Sequence, residues 1–410
     1  MARMFVSTGF AASLALAAGA ALAQNQLLPL SPPPISPSNV GVAISGDGSV
    51  VLGRPACETC SGIGIQWRQD QAWTPQEIGP TWNVPQDISV GGMWVVGSHD
   101  GTPPVPGYLS GAFRKQLAPA PGPFETLFSV LQDPLDRLNE AVAISDDGQV
   151  IVINSSRAFE PDTVLRWTSA GGVFLSHSES GAGISPNGRF IAGTARGIEI
   201  GDPSEPAIWF ENGPAQRLGL LPGTSGGIAL GVSDDGRTVV GVCYVGFFLV
   251  RPFIWRQGIG ISELATLTPG DLNTVPRAIT PDGSMIVGTS ASESVYWNAS
   301  LDVDRIENLV PIAQLVNWSE LRDAVDVSND GRSIVGHGLN TNGNDQPFLL
   351  TLVGAPCPAD FNHDGQGDFF DYLDFVAAYS ADAPDADFND DGVIDFFDYL
   401  DFAAAYDAGC

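Results

Sequence analysis

Two stretches near the C-terminus gather the side chains best suited to chemistry. Residues 360–371 read Asp-Phe-Asn-His-Asp-Gly-Gln-Gly-Asp-Phe-Phe-Asp, and residues 387–398 read Asp-Phe-Asn-Asp-Asp-Gly-Val-Ile-Asp-Phe-Phe-Asp. Side-chain oxygens fall at positions 1, 3, 5, 9 and 12 of each stretch. These are Asp360, Asn362, Asp364, Asp368 and Asp371 in the first, and Asp387, Asn389, Asp391, Asp395 and Asp398 in the second. Position 6 is Gly, which permits a sharp turn, and position 7 (Gln366, Val393) offers a backbone carbonyl. A calcium ion takes six to eight oxygens from a loop of this spacing. Four carboxylates held so close would repel one another without a cation. The pattern predicts two bound Ca2+ ions.

These loops need elements to hold them. Residues 370–379 and 397–406 predict one short helix after each loop. Residues 357–410 hold 14 Asp and no Glu, Lys or Arg, yet also eight Phe and four Tyr. That is more aromatic surface than so small a unit can bury, and exposed apolar patches mark partner sites. Phe369, Phe370 and Tyr372, with Phe396, Phe397 and Tyr399, are the predicted partner-binding residues. Loop then helix, twice over, with Asp at position 12, resembles a dockerin domain. The resemblance implies a cohesin-like partner, or a cell-surface or matrix protein, gripped through 357–410. The Phe pairs at loop positions 10 and 11 depart from the small hydroxyl pair common in that family. Cys357 and Cys410 bracket the module and are expected to form a disulfide that staples it; the alternative is a free Cys410 used for covalent attachment.

Upstream lies a different material. One motif recurs seven times, with its Ser or Thr at Ser45, Ser89, Ser145, Ser185, Ser233, Thr280 and Ser328, spaced 44, 56, 40, 48, 47 and 48 residues apart. Gly follows three residues later in every copy, after Asp or Asn in six of them, and a second Gly follows at eight residues in six. A β-branched residue ends a strand, the hydroxyl and the Asp-Gly pair build a tight turn, and a β-branched strand leaves it. An aromatic strand follows, marked by Trp67, Phe113, Trp167, Trp209, Trp255, Trp297 and Phe348. A fourth short strand is expected after it, as at Arg217–Pro222 in the fourth copy. Four short strands in such a repeat form one blade of a propeller. The core resembles the extracellular HAF repeats, which imply an exported repeat protein and no particular reaction. The fold class is therefore all-β, a seven-bladed β-propeller over 24–353 with a small α-helical dockerin-like domain over 354–410. The last copy lacks its fourth strand, and Gln26–Leu30 is expected to supply it and close the ring.

Residues 1–23 read as a signal peptide, with Arg3, an apolar run and Ala21-Leu22-Ala23 before the cut. The protein is thus expected to be secreted, extracellular or retained at the cell surface, where disulfides persist. A net charge of −29 without a basic cluster argues against nucleic acid. No segment reads as a transmembrane span. Cys57 and Cys60 are expected to form a local disulfide, and Cys243 to be a buried free thiol. No His-Glu-x-x-His, Gly-x-Ser-x-Gly or Walker loop occurs, and no catalytic residue is assigned. The functional expectation is a non-catalytic protein that displays a glycan or protein ligand site on the propeller and docks through its tail. The alternative is a polysaccharide-active enzyme, a glycoside hydrolase or lyase, with paired carboxylates in the propeller channel.

Overall fold

The computed structural model describes residues 25–33, 38–56, 64–79, 83–99, 111–118, 121–127, 136–157, 161–199, 201–246, 248–353, 361, 369–381, 383, 386, 388, 394 and 396–408. Among the described residues, twenty-eight strands form seven four-stranded antiparallel sheets. Blade 5 is typical, with strands Gly227–Val232, Thr238–Tyr244, Val250–Arg256 and Gly260–Glu263 in sequence order. The first strands of neighbouring blades pack against one another all round, blade 7 against blade 1 included. The fourth strand of blade 4 is Ala215–Arg217. It lies just ahead of the Leu218–Pro222 run, whose Leu218 and Leu221 turn into the core instead.

Blade 7 shows how the ring closes. Its sheet order places the N-terminal strand Gln26–Pro29 outside Asp345–Thr351, then Ser333–Asn340, then the channel strand Trp318–Val327. Gln26 pairs with Thr351 and Pro29 with Phe348. Leu27 and Leu30 are buried in the last blade and its seam with the first. Side chains around residue 25 fasten the latch: Asn25 Nδ2 donates to Leu309 O at 2.7 Å, and Asn25 Oδ1 accepts from Val353 N–H at 2.8 Å.

The repeat motif works as its chemistry dictates. Ser45 Oγ donates to Asp47 Oδ1 at 2.6 Å and accepts from Val50 N–H at 3.0 Å. The same pair of bonds recurs at Ser145, Ser185, Ser233, Thr280 and Ser328, with Asn187 in place of Asp in blade 4. Gly236 closes the blade 5 turn at φ +69°, a conformation side chains disfavour. The second Gly has another cause. The channel strand bulges at Leu230, and two residues before the bulge its backbone lies close to strand two: a Cβ at Gly241 would lie 2.1 Å from Ile228 O. The aromatic residues fill the interior: Trp67, Trp209, Trp297, Phe113, Phe253 and Phe348 are fully buried. The indole N–H groups of Trp67, Trp209 and Trp297 reach Ser31 O, Ser176 O and Ala265 O. Cys243 is a buried free thiol in the second strand of blade 5.

The C-terminal unit contains helices α1 (Phe369–Ser380) and α2 (Phe396–Ala408), each extending the predicted helix by one or two residues at either end. Its own core is aromatic. Phe375 and Phe402 stack face to face at 4.0 Å between centroids, and Phe361 and Phe388 meet both rings edge-on. No helix among the described residues is long and apolar enough to cross a membrane.

Candidate functional sites: the helix pair and the propeller channel

The two helices repeat each other in detail. Phe369 stacks on Tyr372 at 6.2 Å and 15°, and Phe396 stacks on Tyr399 at the same distance and angle. Tyr372 and Tyr399 turn inward, with their hydroxyls 3.1 Å apart. Of the six predicted partner-binding residues, Phe369 (61 % exposed) and Phe396 (62 %) project outward. The side chains of Phe370 and Phe397 lie outside the described residues. The sequence reading missed Leu373 (45 % exposed) and Leu400 (44 %), one turn further along each helix. The Phe-x-x-x-Leu spacing was the available signal, since residues four apart share a helix face.

Two of the predicted ligands are described. Asp371 and Asp398, at position 12 of each loop, have no exposed surface. Asp398 Oδ1 accepts from Phe388 N–H, position 2 of its own loop, at 2.8 Å. The carboxylate thus reaches back across the loop it terminates. Asp360, Asn362, Asp364, Gln366, Asp368, Asp387, Asn389, Asp391, Val393 and Asp395 lie outside the described residues, as do Cys57, Cys60, Cys357 and Cys410. A buried carboxylate needs compensation by donors or a cation, and Phe388 N–H is one such donor for Asp398. Among the described residues alone, no group of three metal-ligating side chains forms.

The propeller channel is the second candidate. Its cavity of about 200 Å³ is lined by the ends of all seven first strands. Most lining residues are apolar or small, such as Val42, Ala143, Gly183 and Leu230. Blades 2 and 7 differ, because Asp87 and Asp326 stand where the other copies have Ala or Gly. Asp87 Oδ1 accepts from its neighbour Ile88 N–H (2.7 Å), and Oδ2 accepts from Ile144 N–H of blade 3 (2.8 Å). Asp326 does the same with Val327 N–H (2.9 Å) and Ile44 N–H of blade 1 (2.8 Å). Each carboxyl staples one blade to the next. Burial, together with the Asp326 charge, pushes Asp87 up to about 8; burial pushes Asp326 up to about 7 against its two N–H donors. At one mouth, Asn329 of blade 7 donates to Asp146 Oδ2 of blade 3 at 2.6 Å, across the channel. Burial raises the Asp146 pKa, opposed by that hydrogen bond. The turns round this mouth also join edge to edge through Asn329 N–H to Gly46 O, Val90 N–H to Asp146 O, Asp146 N–H to Pro186 O and Asp234 N–H to Pro281 O. Further along the channel, Arg277 pairs with Asp323 at 2.9 Å.

No protein-family model matches the chain, and no curated protein matches it. Among solved structures, the β-propeller domain of the trilobed protease from Pyrococcus furiosus, described as having an open velcro topology, is similar at 11% identity and a TM-score of 0.50. The match covers 76% of this chain and 95% of that one. TolB from Acinetobacter baumannii is 13% identical with a TM-score of 0.38, over 74% of this chain and 80% of that one. Pyrococcus horikoshii acylaminoacyl peptidase is 11% identical with a TM-score of 0.49, over 77% of this chain and 52% of that one. At 11% identity the likeness to the trilobed protease's propeller domain is one of fold, and the chain is a seven-bladed β-propeller with a two-helix C-terminal unit.

Proposed function

We propose that this is an exported, non-catalytic repeat protein whose C-terminal module binds two Ca2+ ions and docks the propeller to a cohesin-like, cell-surface or matrix protein. The observation that carries the reading is the matched pair of exposed Phe and Leu side chains, Phe369 with Leu373 and Phe396 with Leu400, on helices whose interior is already filled. Buried Asp371 and Asp398 support calcium loops that set the N-terminus of each helix. Asp360, Asn362, Asp364, Gln366 and Asp368 would complete the first ligand set with Asp371; Asp387, Asn389, Asp391, Val393 and Asp395 would complete the second with Asp398. The ion would neutralise each loop and order it.

The channel supports the non-catalytic reading over a glycoside hydrolase or lyase. A catalytic carboxyl needs an oxygen free to meet substrate. Both oxygens of Asp87 and of Asp326 are engaged by backbone N–H groups. The Asn329–Asp146 bond also crosses the mouth through which a chain would enter. The test is calorimetric titration of the full chain with CaCl2, followed by binding to the producing cells' surface with and without EDTA. Heat for two ions and release by EDTA are expected. The double variant Phe369→Ser/Phe396→Ser should keep the heat and lose at least tenfold in retention. Absence of calcium heat, or retention in EDTA, refutes the reading.

A further inference from the structure

Asp87, Asp146 and Asp326 come from blades 2, 3 and 7 and share one enclosure. Two of them bridge blade seams, and one of those seams, blade 7 to blade 1, is also the seam that the N-terminal strand closes. The third takes part in the Asn329 bond that crosses the channel. The Asp326 and Asp146 charges both act on Asp87, and Asp146 acts on Asp326. Asp47, Asp147 and Asp234 stand round the same mouth and add negative charge to Asp146. The basic group lining the cavity, Arg277, is already paired with Asp323, and Gln86 is held by Glu140.

We propose that these three channel carboxyls make the propeller an acid-tightened ring, whose closure weakens as pH rises through neutrality. Protonated, each of Asp87 and Asp326 keeps one of its two N–H bonds at the carbonyl oxygen, weakens the other at the hydroxyl, and carries no charge into the cavity. Ionised together, the three place like charges round one cavity of about 200 Å³ and repel.

The direction follows from proton linkage. An acid whose folded pKa lies above its ordinary 3.8 holds a proton in the ring that it releases on unfolding. The stabilisation is complete below about pH 4. It is lost as pH rises, until the folded values are passed near 7 for Asp326 and near 8 for Asp87.

The experiment is thermal unfolding of the full chain in saturating Ca2+ from pH 5.5 to 8.5, for wild type, Asp87→Asn, Asp326→Asn and the double variant. Asn keeps the shape and removes the titration. Wild-type Tm should fall by about 5 °C across this range, and the double variant should lose at least half of that slope, whatever its absolute Tm. The difference between wild type and variant is the reading, because it isolates the two Asp from every other titrating group. A flat wild-type profile, or the same slope in the double variant, overturns the proposal. Where the double variant does not fold, ¹³C carboxyl titration of labelled wild type decides. Two Asp midpoints above pH 6 support the proposal and none overturns it.

Discussion

In six of the seven turns the hydroxyl makes two bonds at once, which suits Ser or Thr; Ser89, followed by Gly91 instead of Asp or Asn, keeps the bond from Trp94 N–H. Ser233 Oγ donates to Asp235 at 2.7 Å and accepts from Thr238 N–H at 3.0 Å, with 1 % of the residue exposed. Ser233→Ala leaves a buried N–H without a partner and should cost about 1–3 kcal/mol in urea unfolding. Ser233→Thr should be close to neutral, because Thr280 does the same work in blade 6. The turn chemistry was legible in the sequence because all its partners lie within five residues. Asp87 and Asp326 were visible only as departures from a small-residue position. Their partners Ile144 and Ile44 are 57 and 282 residues away, and no local pattern connects groups so far apart.

At the level of the element, the bulge in each channel strand and the Gly opposite it are one feature. Gly97, Gly193, Gly241, Gly288 and Gly336 each face a channel-strand carbonyl two residues before the bulge, at 2.1–2.2 Å from where a Cβ would stand. Gly241→Ala therefore has to push the channel strand of blade 5 inward. It should cost about 1–3 kcal/mol by overpacking, measured as a lower urea midpoint with an unchanged m-value. Blade 3 carries Ile153 at this position, 2 % exposed, and nothing in the structure explains how it is accommodated. The helices of the C-terminal unit were legible from their spacing. The direction of their aromatic rings was not, because Tyr372 and Phe369 lie on the same helix yet only the ring stack with α2 decides which one faces inward.

At the level of the whole molecule, seven separate sheets share one fate because the first blade cannot pack until the last is complete. The strand Gln26–Pro29 joins the two ends of a chain more than 300 residues apart in sequence. A chain beginning at Ser31 would leave the edge of Asp345–Thr351 unpaired and the cluster around Leu27 open. Unpaired edges invite association with other chains. Such a chain should melt at least 10 °C lower, by about 2–4 °C for each kcal/mol lost, and form oligomers in sedimentation. An unchanged Tm with a monomeric species would show that the latch is dispensable. The C-terminal unit has its own aromatic core, so its folding is a local matter of two loops and two helices.

The sequence by itself determined the repeat, the blade, the number of blades and the helices, because these follow from short-range turn chemistry and strand periodicity repeated seven times. Tertiary structure alone decided that two Asp residues staple blade seams, that Asn329 spans the channel to Asp146, and that Leu373 and Leu400 join Phe369 and Phe396 on the surface. The reason is physical. Burial and the meeting of distant groups are properties of the closed ring and the packed helices, and a linear pattern of residues does not contain them.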